Sequence, residues 1–197
     1  MAKTLGYMIT FTTYGTWLQG DERGFVKDGI TYAANQSLAD SNKQNLSKNP
    51  VRLSKNQRAI AAKAICEKAN RINQKILALS VCSNHVHIVV DYVPIPMGKI
   101  VSYYKNAAQV VLRKVGLTGR IWTKGFDKRY CFNVQALKSR IDYVNSNHKD
   151  ALFSPSIYWG VLFLPQFIEG FSLSKDSRCR EIIIYFLYLC LTVIPPI

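Results

Sequence analysis

Two of the chain's three histidines stand two residues apart, in His85-Val86-His87. The apolar residues that continue to Val90 predict a buried strand. Side chains at positions i and i+2 of a strand point to the same face, so the two imidazoles would lie side by side. Two neighbouring imidazoles can share one divalent cation, although two satisfied strand histidines would produce the same pattern.

A tyrosine and two further candidate ligands follow near the end of a predicted helix. Tyr143 and Asn147 are four residues apart and therefore share a helix face. Asn147 offers a carbonyl oxygen and His148 an imidazole, so either residue could be the third metal ligand and the choice stays open. Packing of the ring on a sheet is the alternative role for Tyr143.

These residue types together indicate a reaction at phosphorus. A tyrosine hydroxyl, with an ordinary pKa of about 10, needs a neighbouring cation or base to act as a nucleophile. A metal on the two histidines could polarise a phosphodiester, and attack by Tyr143 would give a phosphotyrosine. The bond energy is kept in that linkage, so rejoining would need no nucleotide cofactor. A metallohydrolase that activates water is less favoured, because acidic ligands are scarce near these residues.

The elements that must position these side chains alternate in type along the chain. We predict a strand over 6–18, a helix over 54–73, a hairpin over 75–92, a helix over 97–116, a loop and short strand over 120–134, and a helix over 135–147. This β-α-β-β-α-β-α order predicts an α+β fold, a ferredoxin-like antiparallel sheet with helices on one face. Residues 19–29 are expected to form a turn-rich loop and residues 31–53 an exposed polar insertion.

The charge of the chain is concentrated in its first three quarters. The 197 residues include 26 Lys and Arg and 12 Asp and Glu, for a net charge of +14. Residues 1–150 hold 23 of these basic residues and 9 of the acidic ones, whereas residues 151–197 hold three of each. Phosphates are the commonest partners of such a basic body, since each contact releases a condensed counterion.

Basic and aromatic side chains near the candidate site are the expected DNA contacts. Trp122, Phe126 and Tyr130 could stack on unpaired bases, with core packing as the alternative for these rings. The full set of residues expected to bind DNA is Arg23, Trp122, Lys124, Lys128, Arg129, Lys138 and Arg140.

The chain is expected to divide into a catalytic domain over 1–150 and an apolar tail over 151–197 of unknown role. The last apolar run, 182–194, is shorter than the roughly 20 residues that span a bilayer, so membrane association is not favoured. The start lacks a long apolar segment, and the five cysteines form no C-x-x-C pair. A bacterial cytoplasmic protein without a cysteine-built zinc site is therefore expected.

An ordered set of motifs resembles a known family. His85-Val86-His87 resembles the histidine-hydrophobic-histidine motif of the HUH single-tyrosine endonucleases. Thr12 to Leu18 with Gly20-Asp21-x-Arg23-Gly24 resembles the N-terminal signature of insertion-sequence single-tyrosine transposases, in the branch of the REP-associated tyrosine transposases. The stretches 83–90 and 122–130 and the helix of Tyr143 also fit, so that the resemblance covers residues 5–149.

The resemblance implies an activity and a site. It implies cutting and rejoining of single-stranded DNA for transposition, often at a hairpin, through a 5′-phosphotyrosine and a free 3′-hydroxyl. His85 and His87 correspond to metal ligands for Mg or Mn, and Tyr143 to the nucleophile. The third ligand in the family is usually Gln or Asn shortly after the tyrosine, which leaves Asn147 and His148 open here. Homodimers are frequent in the family, and monomers also occur.

Two other functions remain open from the sequence. A catalytically decayed or domesticated DNA-binding protein of the same fold would keep the basic body and lose the chemistry. A membrane-associated basic protein would use residues 182–194 as its anchor. The tail after residue 150 matches no part of the family's pattern.

Overall fold

We describe the fold from a computed structural model, which describes residues 3–27 and 30–146. In chain order the elements are β1 (Gly6–Thr12), β2 (Phe25–Lys27), β3 (Ile30–Tyr32), α1 (Gln36–Gln44), α2 (Lys55–Arg71), β4 (Ile76–Val81), β5 (His85–Asp91), α3 (Met97–Lys114), β6 (Asp127–Cys131) and α4 (Val134–Ser146).

Four of the strands form an antiparallel sheet in the spatial order β4-β5-β1-β6. Within this sheet β1 and β5 lie at the centre, and β4 and β6 lie at the edges. This is the arrangement of the ferredoxin-like β-α-β-β-α-β unit. The predicted α+β fold class is therefore confirmed.

Helices α2 and α3 cover one face of the sheet. The core on this side holds alternate residues of the central strands, including Ile9 and Phe11 of β1 and Val86 and Ile88 of β5. The alternation is the one expected for strands that point successive side chains to opposite faces. This face carries the larger of the two apolar clusters found in the described residues.

Helix α4 covers the opposite face, and this corrects the prediction that all helices lie on one side. A second, smaller core packs α4 on the sheet through Met8, Ala78, Val89, Leu137, Ile141 and Val144. Gly6 lets the helix approach, because a Cβ there would meet the carbonyl oxygen of Val90 and lie 3.2 Å from Leu137 Cδ1. A helix period shows which residues share a helix face, but it does not specify the sheet face on which that helix packs.

Local capping explains where α2 begins and where α3 ends. The Ser54 hydroxyl accepts from the Gln57 amide, and the Gln57 side chain accepts from the Ser54 amide, so α2 begins with a capping box. Helix α3 ends shortly before Gly116, which has a φ of 91°. A residue in this left-handed region after a helix favours glycine, as the sequence predicted.

The predicted loop and insertion contain regular structure. Strands β2 and β3 form a separate two-stranded sheet, and α1 follows with Asn35 as its N-cap. Helix α1 has no buried residue, so hydrophobic periodicity gave no signal for it. The expectation that the segment is polar and exposed agrees with its burial pattern.

The expected tail, residues 151–197, lies outside the described residues, and so do Asn147 and His148. The domain boundary near residue 150 therefore stays a prediction. Within residues 3–27 and 30–146, no helix is both long and apolar enough to cross a membrane.

Candidate functional site

The two histidines of the H-x-H motif begin strand β5 and lie side by side. The centroids of the His85 and His87 rings are 4.7 Å apart, in an edge-to-face arrangement. His87 is only 8% exposed, and His85 is half-buried. They share the sheet face of Val89, because alternate residues of β5 point the same way, and this is the face that α4 covers.

Each imidazole has an oxygen partner at Nδ1. His85 Nδ1 donates to the Asn84 Oδ1 at 2.7 Å, and His87 Nδ1 shares a hydrogen bond of 2.7 Å with the Thr10 hydroxyl. Thr10 lies opposite His87 in the pairing of β1 with β5. A ring whose Nδ1 carries the proton offers Nε2 as its metal-binding nitrogen, and such partners orient histidine ligands in metal sites.

The turn before the histidine strand is held by the N-terminal motif. The carbonyl oxygen of Asn84 accepts from the Thr13 amide at 2.8 Å and from the hydroxyls of Thr13 and Thr16, both at 3.1 Å. Three donors on one carbonyl fix the residue that precedes His85. The threonines of the Thr-Thr-x-Gly-Thr stretch thus connect the end of β1 to the start of β5.

Helix α4 brings Tyr143 to the histidines. The centroid of its ring lies 5.8 Å from that of His87, and the side chain is 41% exposed. Its neighbour Val144 is buried against the sheet, which anchors the last turn of the described helix. The phenol therefore lies beside the imidazole pair at a solvent-accessible position. A substrate could reach it there, even though the ring also packs on the sheet.

The described residues supply two of the three expected metal ligands, His85 and His87. Among the described residues no group of three His, Cys, Asp or Glu side chains lies together. The two imidazoles are adjacent and oriented, as a shared cation requires. The candidate third ligands, Asn147 and His148, lie outside the described residues, so the choice between them stays a prediction.

The basic residues expected to bind DNA are exposed but do not form one surface. Lys128 and Tyr130 of β6 pair with Ile9 and Tyr7 and lie on the face opposite the histidines. Arg129 pairs with Met8 and lies on the histidine face, where it forms an ion pair with Asp127 at 2.9 Å. The remaining exposed residues of the expected set are Lys124 before β6 and Lys138 and Arg140 on α4.

Trp122 is a core residue, which corrects the expectation that it stacks on bases. It is 5% exposed, packs edge-to-face on Phe11 at 5.1 Å, and donates from Nε1 to the Lys105 carbonyl. Tyr130 and Phe126 are exposed, so stacking by those two rings stays a prediction. Whether a tryptophan is buried or exposed depends on the apolar residues around it, and those residues come together only in the folded protein.

Lys105 of α3 supports the segment between Trp122 and β6. Its ammonium donates to the carbonyl oxygens of Thr123 at 2.9 Å and Gly125 at 2.7 Å. Thr123 is in turn bonded to Thr12, which lies opposite His85. Burial lowers the pKa of Lys105 to about 8, and the charge of Arg120 contributes in the same direction.

Arg23 lies in the loop after β1 and is already paired. Its guanidinium donates to both carboxylate oxygens of Asp21, at 2.7 and 2.8 Å. This hydrogen bonding lowers the pKa of the Asp21 carboxyl and raises the pKa of Arg23. The guanidinium also lies over the ring of Trp17, 4.7 Å from its centroid.

More than half of the chain matches a known protein family. Residues 47–147, which are 101 of its 197 residues, match the family described as "Transposase IS200 like". The chain belongs to this family. The insertion-sequence transposase family expected from the motifs is thereby confirmed. Membership gives this transposase an enzymatic, DNA-processing role in transposition, for which it binds DNA.

Two solved structures resemble this IS200-like transposase. One is a REP-associated tyrosine transposase bound to a REP hairpin, with 13% identity, coverage of 89% of this chain and 90% of the other, and a TM-score of 0.47. The other is described as a transposase from Deinococcus radiodurans R1, with 13% identity, coverage of 75% and 94%, and a TM-score of 0.39. No curated protein sequence matches the chain.

Sequence reasoning missed several residues that support the site of this transposase. The partner of His87 is Thr10, which only the register of β1 against β5 reveals. The support from Lys105 is equally non-local, although a lysine among the apolar positions of α3 was a visible signal. The side-chain bond of Asn84 to His85 joins sequence neighbours, but nothing in the residue pattern predicted it.

Proposed function

We propose that this transposase cuts and rejoins single-stranded DNA with Tyr143 as its nucleophile. The observation that carries the proposal is the arrangement of three rings on one sheet face: His85 beside His87, and Tyr143 5.8 Å from His87. The phenol comes from a helix and the imidazoles from a strand, so the fold and not local sequence creates this proximity. The family assignment supports a DNA substrate.

His85 and His87 would hold a divalent ion, Mg or Mn, through Nε2, with Asn147 or His148 as the third ligand. A bound ion would supply Lewis-acid polarisation of the scissile phosphate. Asn84 and Thr10 orient the two imidazoles for that role. His87 is buried and His85 half-buried, so a phosphate at the pair would be partly shielded from water and its electrostatic interactions would be stronger.

The reaction of the Tyr143 hydroxyl balances without a nucleotide. The bond from Tyr143 Oη to phosphorus forms as the bond from phosphorus to the 3′ oxygen breaks. The phenol loses its proton and the departing 3′ oxygen gains one, which leaves a 5′-phosphotyrosine and a 3′-hydroxyl. A later 3′-hydroxyl reverses the same step and joins a new strand, because the linkage keeps the energy of the original phosphodiester.

A denaturing gel tests the proposal directly. The full chain is mixed with labelled single-stranded DNA from the flanks of its own gene, hairpins included, in Mg or Mn. We expect a covalent protein–DNA band that Tyr143→Phe abolishes and that a chelator or His85→Ala also removes. Tyr92→Phe is the matched control, because Tyr92 is an exposed tyrosine at the opposite end of β5.

Each outcome of that gel is informative. A band that persists in Tyr143→Phe would show that another group is the nucleophile. A band of normal strength in chelator would remove the metal role of the histidines. DNA binding without any band would favour the alternative, a decayed or domesticated DNA-binding protein of this fold.

A further inference from the structure

Trp17 is a large aromatic side chain that the fold holds at the surface. It is 42% exposed, although most of the chain's large rings near β1 are buried. Its indole Nε1 donates to the Gly24 carbonyl at 3.1 Å, and the Arg23 guanidinium lies over the ring. Arg23 thus lies over one face of the ring, and 42% of the residue is still accessible to solvent.

The loop that carries Trp17 is rigidly built. Asp21 holds Arg23 through two side-chain bonds, and its carboxylate also accepts from the Arg23 amide at 3.1 Å. The Asn35 amide and the Asn42 side chain bond the carbonyls of Gly20 and Gln19, both at 3.0 Å. Gly24 has a φ of 82°, which favours glycine at this bend. These bonds, with that from the indole to the Gly24 carbonyl, hold the ring in one orientation.

This loop is bonded to the histidine strand. Thr16, the residue before Trp17, donates its hydroxyl to the carbonyl of Asn84, the residue before His85. Consecutive Cα atoms are 3.8 Å apart, so the Cα atoms of Trp17 and His85 are within about 15 Å of each other. If a DNA strand placed a phosphate at His85, a nucleotide one or a few positions along the strand would be within reach of the indole.

We infer that Trp17, backed by Arg23, is a stacking platform for an unpaired nucleobase that flanks the phosphate cleaved at the histidines. The inference rests on the proposed function, since it takes a single strand at that site as given. A rigid ring binds a base at low conformational cost, and base–aromatic stacking tolerates any sequence. A cation over the far face polarises the indole and keeps it in place. Arg23 is already paired with Asp21, so we expect the platform to bind through the base and not through a phosphate.

The test compares two probes of equal phosphate number. One is a single strand of about 12 thymidines, and the other is an abasic strand of the same length, within the site sizes of single-strand binding proteins. Equal phosphates hold the counterion contribution constant, so the ratio of the two dissociation constants measures base contacts alone. Binding of the full chain is measured in chelator, where no cleavage intervenes.

We expect Trp17→Ala to weaken thymidine binding about tenfold and to leave abasic binding unchanged. Trp17→Phe keeps a ring and should retain most of the preference for bases. Tyr92→Ala is the matched control, because Tyr92 is 52% exposed but lies at the far end of β5. Thermal melting of each variant checks that the fold is kept.

Three results would overturn the inference: equal weakening of both probes by Trp17→Ala, no change in either, or no base preference in the wild type. Its failure is separable from failure of the proposed function. If the wild type forms the Tyr143 adduct but Trp17→Ala keeps the normal ratio of dissociation constants, the stacking inference is wrong and the proposed reaction stands. If the wild type forms no adduct but Trp17→Ala loses the preference for bases, the stacking inference stands and the proposed reaction is wrong.

Discussion

At the scale of single residues, the site depends on hydrogen bonds that orient its two imidazoles. Asn84 and Thr10 each place an oxygen 2.7 Å from an Nδ1 atom. The two partners differ in origin: Asn84 is the sequence neighbour of His85, whereas Thr10 comes from another strand. Oxygen partners of this kind set the tautomer of a histidine ligand and hold its ring in place.

Removing the Thr10 hydroxyl should weaken metal binding. We expect Thr10→Val to lower the affinity for Mn about 10- to 100-fold, because His87 would lose the hydroxyl that bonds its Nδ1 and orients its ring. The measurement is the Mn dependence of covalent capture, together with direct Mn titration. Thr10→Ser restores a hydroxyl and should recover most of the affinity. Equal affinity in the valine variant would mean that Thr10 does not orient the ring.

Lys105 should make stability depend on pH. The pKa of this lysine is about 8 in the fold, below its ordinary value of 10.5, so the folded protein binds fewer protons between these values. The free energy of unfolding therefore rises with pH across this window, and this contribution is lost as pH falls through about 8. Tyr104 has a raised pKa through burial and opposes the rise above pH 10.

The comparison of wild type with Lys105→Met isolates this effect. Urea unfolding at pH 7, 8 and 9.5 should show the wild type gaining stability relative to the variant as pH increases. Lys114→Met, an exposed lysine at the end of the same helix, serves as the control. A difference that stays constant with pH would mean that Lys105 keeps an ordinary pKa.

At the scale of elements, the site exists because α4 packs on the face that carries the histidines. The helix is held by Leu137, Ile141 and Val144 against a small apolar patch of β1, β4 and β5. Tyr143 gains its position from this packing and not from a contact within its own helix. Small shifts of α4 on the sheet should therefore affect chemistry more than they affect the larger core on the other face.

Adding one methyl group at Gly6 should test this dependence. In Gly6→Ala the new Cβ would meet the Val90 carbonyl and crowd Leu137. We expect a destabilisation of about 1–3 kcal/mol and a loss of covalent capture larger than the loss of DNA binding. Unfolding and capture are measured on the same preparations.

Gly98→Ala is the matched control for that substitution. Gly98 lies in α3, where an added Cβ meets nothing within 4 Å. The variant should be neutral or more stable by up to about 1 kcal/mol, because alanine favours a helix over glycine. An equal loss of capture in both variants would show that the effect of Gly6 is not specific to α4.

At the scale of the whole molecule, the charge of +14 favours a polyanion but does not say which face binds it. The exposed basic residues lie on both faces of the sheet, on β6, α2 and α4. If the histidine face is the DNA surface, the basic residues of α4 contribute phosphate contacts and those of α2 do not. The two sets can be separated by their effect on salt dependence.

Salt titrations of two charge-removing variants test that assignment. For single strands the logarithm of affinity falls with the logarithm of salt by about 0.7 for each phosphate contact. We expect Lys138→Gln on α4 to reduce the slope by about this amount, and Lys63→Gln on α2 to leave it unchanged. The reverse result would place the strand on the α2 and α3 face, away from Tyr143.

The sequence by itself determined the features that depend on local spacing. Strand alternation placed His85 and His87 on one face, and Ser54 and Gly116 marked helix ends that the structure confirms. The order of elements was enough to predict the ferredoxin-like sheet, because handedness and strand-neighbour rules leave few topologies for this order. The family followed from motifs that are continuous in the chain.

Only the tertiary structure decided which elements meet. It placed α4 on the histidine face, buried Trp122 against Phe11, and separated Lys128 from Arg129 by the sheet. It also paired Thr10 with His87 across two strands. The physical reason is common to all four: periodicity shows which residues share a face of their own element, whereas long-range packing chooses what that face touches.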